Sequence, residues 1–278
     1  MKYCNNCLQP NTRPNTIFTK EGICPACNYY NSLKEVNWDE RFEIIKELVK
    51  KFPKCKDNYY DCIIGVSGGK DSTRQALWVR DKLKLNPLLV SLIHPPEQVS
   101  NTGVKNISNL INLGFDVQTY SPSPQTWKSL MRDSFFKFSN WARPAELALY
   151  SSVPQIAIKY KIQLILWGEN PALQVGDLKT HGKNGYDGNN LRYSNTLTSG
   201  HEWMLKLKYK KNELTPYIYP SKNEFIKSKI QIIYLGWFLG DWSLLKNAKY
   251  SCLSGIEIKD EHPKNTGDLY GLSNLDED

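Results

Sequence analysis

Residues 63–72, with the sequence IIGVSGGKDS, place an apolar run directly before two glycines, a lysine and an aspartate. If a strand precedes Ser67-Gly68-Gly69-Lys70-Asp71-Ser72 and a helix follows it, bare backbone N–H groups lie at a helix N-terminus, which attracts anions. The glycines would let oxygen atoms approach the main chain without an intervening Cβ. The pattern therefore predicts a phosphate-binding loop, in which Lys70 adds a positive charge, Asp71 holds Mg²⁺, and the serine hydroxyls donate hydrogen bonds.

This loop differs from two common nucleotide-binding motifs. A Walker A loop has four residues between its first glycine and Gly-Lys, and serine or threonine follows. Here three residues separate Gly65 from Gly69, and Asp71 follows Lys70. The G-x-G-x-x-G pattern of dinucleotide-binding folds is not matched either. The alternative interpretation is an ordinary tight turn between a strand and a helix.

Four cysteines form a second chemical pattern, C-x2-C-x16-C-x2-C, at Cys4, Cys7, Cys24 and Cys27. Two such pairs can fold back so that four thiolates meet one tetrahedral zinc ion. A shell of four thiolates is closed, which favours a structural role, and the metal would supply most of this segment's folding free energy. A redox motif would instead consist of one Cys-x-x-Cys beside a βαβ unit.

Strand-like and helix-like segments alternate through the rest of the chain. Hydrophobic patterning predicts helices at 37–52, 71–83, 104–116 and 144–161, the last interrupted at Pro154, and strands at 60–66, 87–93, 117–121 and 163–170. Residues 222–242 are predicted to be helical. This alternation predicts an α/β fold with a parallel, doubly wound sheet.

The chain divides into four predicted parts. Residues 1–30 are a zinc ribbon, 31–57 a linking helix, 58–250 the main domain and 251–278 a C-terminal segment. Within the main domain, residues 171–200 are polar, rich in glycine and without periodicity. A run of this kind directly after a sheet strand is interpreted as a substrate lid.

The composition favours a soluble, cytoplasmic protein without membrane contact. The 278 residues carry a formal net charge of +8, and 40% of them are hydrophobic. The apolar runs are strand-sized, and the first residues contain no signal-peptide core. Residues 205–211, LKLKYKK, alternate like an exposed edge strand, which disfavours a nucleic-acid-binding stripe.

Ser-Gly-Gly-Lys-Asp-Ser after a first strand resembles the pyrophosphate loop of the ATP pyrophosphatase (PP-loop) superfamily. The resemblance implies a five-stranded parallel α/β layer like that of the adenine nucleotide α-hydrolases. It also implies that the loop from Val66 to Ser72 binds the phosphates of ATP. Adenine would lie against the end of the second strand, at Ser91, Ile93 and His94, and Gly168 would close the other side of the nucleotide.

Most of residues 1–250 resemble the N-acetyl sugar amidotransferases. The resemblance rests on the four-cysteine ribbon and on the segments TGVKNISNLINLGFD and LILWGENPALQVGD. These enzymes form acetamidino groups in pseudaminic acid, legionaminic acid and O-antigen biosynthesis, the last a part of lipopolysaccharide. WGEN, followed by Pro-Ala, is the most discriminating match. Family members continue past LYGLSNLDED into further helices, so we expect a truncated C-terminal segment here.

The resemblance implies an amide-activating reaction. The amide oxygen attacks the α-phosphate of ATP, pyrophosphate leaves, and ammonia then displaces AMP from the O-adenylated imidate to give an amidine. We expect Glu169 to orient ammonia or accept its proton and Asn170 to fix the acetamido group; the alternative for both is a capping role in the loop. ATP, Mg²⁺ and Zn²⁺ are the implied cofactors. A separate glutaminase with a synthase-like partner would deliver the ammonia.

Two other functions are compatible with parts of the pattern. A PP-loop tRNA-modifying enzyme, of the thiolation or lysidine type, would share the loop, the ribbon and the basic charge. Thiolation needs a reactive cysteine, whereas Cys62 lies in a predicted strand and Cys252 is isolated. A non-catalytic zinc-ribbon module with a degenerate nucleotide site is the other alternative, and the intact loop disfavours it.

Overall fold

A computed structural model describes residues 1–12, 16–52, 59–176, 185–190 and 200–258. Its centre is a five-stranded sheet of order β3-β2-β1-β4-β5, in which every neighbouring pair is parallel. The strands are β1 (Cys62–Gly65), β2 (Pro87–Leu92), β3 (Val117–Tyr120), β4 (Leu164–Trp167) and β5 (Gln231–Tyr234). This sheet, with the four-cysteine segment before it, confirms the predicted fold class.

Ten α-helices occur in the described residues. They are α1 (Pro25–Ser32), α2 (Trp38–Val49), α3 (Lys70–Leu83), α4 (Asn101–Asn112), α5 (Pro124–Phe138), α6 (Arg143–Tyr160), α7 (Pro171–Val175), α8 (Lys211–Leu214), α9 (Lys222–Ser228) and α10 (Leu244–Leu253).

Apolar residues on both faces of the sheet form two cores. Successive strand residues point to opposite faces, so Ile63 belongs to one core and Ile64 to the other. Helices α5, α6 and α9 contribute to the Ile63 core, and α2, α3 and α4 contribute to the Ile64 core. Burial on both faces explains why β1 and β2 are continuous apolar runs rather than alternating ones.

The structure differs from the predicted helices at Pro154 and between residues 124 and 138. Pro154 does not interrupt its helix, because α6 runs through it from Arg143 to Tyr160. The proline lies among buried residues of the helix, and this packing outweighs the missing backbone hydrogen bond. Helix α5 was not predicted, although Trp127, Leu130 and Ser134 are buried in it at helical spacing.

The prediction that residues 222–242 are helical is wrong in its second half. Helix α9 ends at Ser228, and β5 follows from Gln231 to Tyr234. Ile232, Ile233 and Tyr234 are fully buried, since β5 lies between the two helical layers. A short apolar run of this kind fits a buried strand as well as a helix, so periodicity alone misassigned it.

The predicted lid contains regular structure where it is described. It begins with α7, and residues 185–190 lie antiparallel along the outer side of β5: the Tyr234 N–H donates to the Tyr186 carbonyl (2.9 Å), and the Gly188 N–H donates to the Ile232 carbonyl (2.8 Å). Residues 177–184 and 191–199 lie outside the described residues, as does the C-terminal segment from 259 onwards.

Residues 205–211 do not form the predicted edge strand. A single 3₁₀ turn ends at Lys206, and α8 begins at Lys211. The alternation arises because Leu207 and Tyr209 are partly buried against the core while Lys206, Lys208 and Lys210 point to solvent. Separately, no helix in the described ranges is both long and apolar enough to cross a membrane.

Candidate active site and metal centre

The loop between β1 and α3 leaves backbone donors free, as the sequence predicted. Gly69 is the N-cap of α3 and no side chain caps the helix, so the first-turn N–H groups at Lys70, Asp71 and Ser72 have no helical acceptor. The hydroxyl of Ser72 accepts from the Ser67 N–H (3.3 Å) and lies 3.2 Å from the Gly69 carbonyl oxygen. These bonds hold the loop in a shape that presents its amides to an anion.

Gly68 is required for a different reason from the one expected. Its φ of +81° is a conformation that L side chains rarely adopt, and a Cβ there would lie 3.1 Å from the Ile107 nitrogen of α4. The missing side chain therefore allows close packing of the loop on α4, rather than leaving space on the phosphate side. At Gly69, a Cβ would meet the Ser67 hydroxyl at 3.2 Å.

Lys70 and Asp71 form the charged part of the loop. The Lys70 ammonium donates to Asp71 Oδ2 at 2.8 Å, and the exposed fractions of the two side chains are 11% and 49%. The carboxylate thus faces solvent at the mouth of the loop, where an oxygen ligand suits Mg²⁺. The long lysine side chain can reorient from the carboxylate towards a bound phosphate.

A cavity of about 220 Å³ lies beside the loop, where the sheet order changes direction between β1 and β4. Open α/β sheets bind their ligands in this crevice, beyond the carboxyl ends of the strands. Its wall combines the loop between β1 and α3 with the segment at the end of β4: it includes Val66, Ser67, Asp71, Ser72, Gln75, Trp167, Gly168 and Glu169. Two segments predicted from separate motifs therefore share one cavity.

A smaller hollow of about 130 Å³ continues the site past β2. Ser67 lines both cavities, and Ser91, Ile93 and His94 line the smaller one together with residues of α4. The His94 ring also lies 5.4 Å from the Trp127 ring. The residues expected to hold the two ends of a nucleotide are thus adjacent.

Glu169 lies in the cavity wall, and the pKa of its carboxyl group is higher than that of an ordinary glutamate. Burial raises the pKa of its carboxyl to about 7, and the nearby negative charge of Asp71 acts in the same direction. A carboxyl group with such a pKa exchanges protons readily near neutral pH, as a general acid or base must.

Asn170 occupies the position that the alternative interpretation gave it. It is 2% exposed and is the N-cap of α7: its Oδ1 accepts from the Leu173 N–H (3.3 Å), and its Nδ2 donates to the Tyr29 hydroxyl (3.4 Å). Both polar atoms therefore hold the loop after β4 in place. The proposed contact of Asn170 with an acetamido group remains a prediction.

Gln75 is a cavity residue that sequence analysis did not single out. It is 3% exposed, and its amide donates to the Leu166 carbonyl of β4 at 2.8 Å. A Cβ on Gly168 would lie 2.6 Å from the Gln75 side-chain oxygen, so glycine is needed there for close approach. The available signal was a polar residue on the inward face of the predicted helix 71–83.

The four ribbon cysteines converge as predicted. The sulfur atoms of Cys4, Cys7, Cys24 and Cys27 all lie within 4.8 Å of one another, and those of Cys7 and Cys24 are 3.6 Å apart. A tetrahedral zinc site with bonds of about 2.3 Å places its sulfurs about 3.8 Å apart, so the arrangement fits one ion.

The surroundings of Cys4 favour the thiolate form of its side chain. Burial opposes its ionisation, but backbone N–H groups of Cys24 and Asn6 at 3.2 and 3.4 Å from its sulfur help to lower its pKa to about 6. Amides that donate to a ligating sulfur stabilise its negative charge in the same way when a metal is bound.

The ribbon packs against α7, the helix that follows the cavity residue Glu169. Helix α1, which starts beside Cys24, contacts α7 directly after Glu169 and Asn170. A Cβ on Gly176 would lie 2.7 Å from the Ala26 nitrogen, which shows how closely the two segments approach. The four-cysteine segment therefore supports one side of the candidate active site.

Comparisons with known proteins give distant likenesses. No protein-family model matches the chain, and no curated protein does. The chain is similar to an NMN synthetase from Francisella tularensis (18% identity, TM-score 0.33), covering 50% of this chain and 57% of that one. It is also similar to an NH3-dependent NAD synthetase from Campylobacter jejuni (14% identity, TM-score 0.36; 83% and 99% covered).

A third similar structure is a U34-tRNA thiolase from Methanococcus maripaludis with its 4Fe–4S cluster (13% identity, TM-score 0.28; 82% and 70% covered). The chain thus spans less than two thirds of the NMN synthetase and most of the other two.

Proposed function

We propose that this protein is an ATP-dependent N-acetyl sugar amidotransferase. It would convert an acetamido group of a sugar to an acetamidino group, with release of AMP and pyrophosphate, in the biosynthesis of a cell-surface glycan or nonulosonic acid. The observation that carries the proposal is that the loop between β1 and α3 and the first three residues of WGEN line one cavity at the switch point of the sheet.

The loop is suited to hold the leaving phosphates. Free N–H groups at the start of α3 and the Lys70 ammonium would bind their oxygen atoms, and preorganised donors of this kind stabilise charge as it develops. Asp71 would hold Mg²⁺, which neutralises charge on the phosphates when bound. The hollow at Ser91, Ile93 and His94 would take the adenine end of ATP.

Glu169 is suited to the second half of the reaction. Ammonia that adds to the carbon of the O-adenylated imidate must lose a proton, the C–O bond to AMP must break, and an amidine remains. A carboxylate in the cavity wall can accept that proton, and the pKa of about 7 keeps a large ionised fraction near neutral pH.

The activity with ammonia should therefore depend on the ionisation of Glu169. Because the base acts in its ionised form, we expect the rate at a fixed concentration of free NH3 to rise between pH 6 and 8, with a midpoint near 7. Glu169→Gln should be slower by about 100-fold above pH 8 and lack this rise. The ratio of the two rates, measured against pH, checks the prediction, and a flat ratio contradicts it.

We also propose that the ribbon binds one structural zinc ion, as the sulfur distances support. Its four thiolates leave no position for a substrate. A separate ammonia-delivering glutaminase is proposed as a partner, because no cysteine among the described residues lines the cavity. If the isolated chain used glutamine as efficiently as ammonium, this partner would be unnecessary.

The tRNA-modifying function is the alternative. Thiolation through a protein cysteine is disfavoured because neither described cysteine outside the ribbon lines the cavity. Cys62 is buried in β1, where burial raises the pKa of its thiol, and Cys252 lies in the last turn of α10. An enzyme of the lysidine type would need no such thiol. Exposed lysines at 206, 208, 210 and 211 are compatible with an RNA backbone, so the decisive test must include tRNA.

Mass spectrometry of candidate diacetamido sugars incubated with the protein, ATP, Mg²⁺ and ammonium tests the proposal. Replacing oxygen by NH lowers the sugar mass by about one unit, and one AMP and one pyrophosphate should form per sugar converted. Parallel reactions with unmodified tRNA separate the two functions. Adenylation of tRNA without any change in the sugars, or release of ADP and orthophosphate, would overturn the proposal.

A further inference from the structure

Helix α10, far from the phosphate loop in sequence, contacts the loop through two buried polar side chains. Asn247 on α10 is 1% exposed, and its Nδ2 donates to Asp71 Oδ1 at 2.5 Å. Ser251, one turn further along, donates to the Lys70 carbonyl at 2.6 Å. Two side chains of α10 thus hold the Asp71 carboxylate and the Lys70 backbone in place.

The orientation of the Asn247 amide is determined by Arg74. The Arg74 guanidinium donates to Asn247 Oδ1, and a guanidinium has donors only. The oxygen of the amide must therefore face Arg74, which leaves the NH2 group facing Asp71. The contact with Arg74 therefore determines that Asn247 donates to Asp71.

Arg74 is itself anchored on α10 and the loop before it. It is 4% exposed, pairs with the Asp241 carboxylate at 2.5 Å and donates to the Asp241 carbonyl at 3.0 Å. The Trp242 and Tyr250 rings lie 5.6 and 5.8 Å from its guanidinium carbon. The positive charge of Arg74 is thus balanced by Asp241 and does not need Asp71.

This arrangement holds the Asp71 carboxylate without neutralising it. An arginine or lysine at position 247 would pair with Asp71 and compete with a bound cation, whereas an amide restrains its rotamer and leaves its negative charge available. Lys70 also pairs with Asp71, but its long side chain can move to a phosphate.

We infer that Asn247, oriented by Arg74 and Asp241, is a positioning residue that presents Asp71 to the divalent cation of a bound nucleotide. The inference deepens the proposed function and rests on it. It makes α10 a part of the active site, although Asn247 lies 176 positions after Asp71 in the chain.

The test uses the full chain, the non-cleavable α,β-methylene analogue of ATP, and Mn²⁺ in place of Mg²⁺. Electron paramagnetic resonance gives the affinity for Mn²⁺ in the presence of the analogue, and calorimetry gives the affinity for the analogue without metal. In Asn247→Ala we expect Mn²⁺ to bind about 10-fold more weakly, with metal-free binding of the analogue unchanged.

A double-mutant cycle separates positioning from general destabilisation. If Asn247 acts through Asp71, Asn247→Ala should cause no further loss of Mn²⁺ affinity in an Asp71→Asn chain. Asn86→Ala is the matched control: its Nδ2 donates to the Tyr59 carbonyl at 3.1 Å just before β2, at the opposite end of the strands from the loop. It should leave both affinities unchanged.

Asp241→Asn provides a second variant at a more exposed position, where the side chain is 56% accessible. The substitution removes the carboxylate that balances the Arg74 charge and helps to orient Asn247. The affinity for Mn²⁺ at Asp71 should therefore fall in this variant too. Wild-type Mn²⁺ affinity in both variants, or an equal loss in the Asp71→Asn background, would overturn the inference. Failure of the unmodified chain to bind the analogue would instead overturn the proposed function, and the inference with it.

Discussion

A chain with Asp71→Asn should release pyrophosphate about 100-fold more slowly than the unmodified chain, or more slowly still. Asparagine has nearly the shape of aspartate, and its oxygen can still accept the hydrogen bond from Asn247. The loop should therefore keep its conformation while it loses the negative charge that would hold Mg²⁺ against the leaving phosphates.

The measurement is the initial rate of pyrophosphate formation at saturating ATP and sugar, over a range of Mg²⁺ concentrations. Asp116→Asn is a suitable control, since Asp116 is an exposed carboxylate whose Oδ2 accepts from the Tyr60 hydroxyl at 3.0 Å, away from the cavity. An Asp71→Asn chain with the rate of the control would remove Asp71 from the catalytic machinery.

Removing the metal from the four cysteines should have the second large effect. The described ribbon buries few side chains besides its cysteines, so the metal, typically worth about 10–16 kcal/mol of apparent binding free energy in isolated zinc fingers, would hold this segment together. Chelation should unfold residues near the N-terminus first. It should then lower activity, because α1 supports α7 and the loop that carries Glu169.

Limited proteolysis before and after chelation, with zinc quantified by mass spectrometry, checks this expectation. Cys24→Ser should behave like the chelated protein, whereas Cys252→Ser, outside the cluster, should behave like the unmodified one. A purified chain with no bound metal and an ordered, protease-resistant N-terminus would contradict the structural role.

Much of this architecture is readable from local sequence. The first four strands lie within their predicted segments. β1, β2 and β4 are largely apolar runs bounded by polar residues or turns, and β3 is a short segment between two turns. β5 was missed because QIIY directly follows a helical segment and is too short to show a period of its own. The loop and the cysteine cluster were predictable because their chemistry depends on close spacing.

The rest of the site depends on contacts between distant segments. Asn247 has no local pattern that indicates a role, since its contact with Asp71 exists only after α10 has packed on α3. Gly68 was recognised but for an incomplete reason, because its approach to α4 is a tertiary contact. The capping bond of Asn170 could be anticipated from its position before Pro171, where asparagine is a common N-cap.

Residues 185–190 also affect whether a strand of another polypeptide can pair with the β5 edge of the sheet. On the outer side of β5, the Ile232 N–H donates to Asn189 Oδ1 (2.8 Å) and the Tyr234 N–H to the Tyr186 carbonyl, so these amides have no capacity to bind an incoming strand. Within the described ranges β3 is the terminal strand at the opposite end. Within the described residues, β-augmentation of this sheet is therefore disfavoured at the β5 edge.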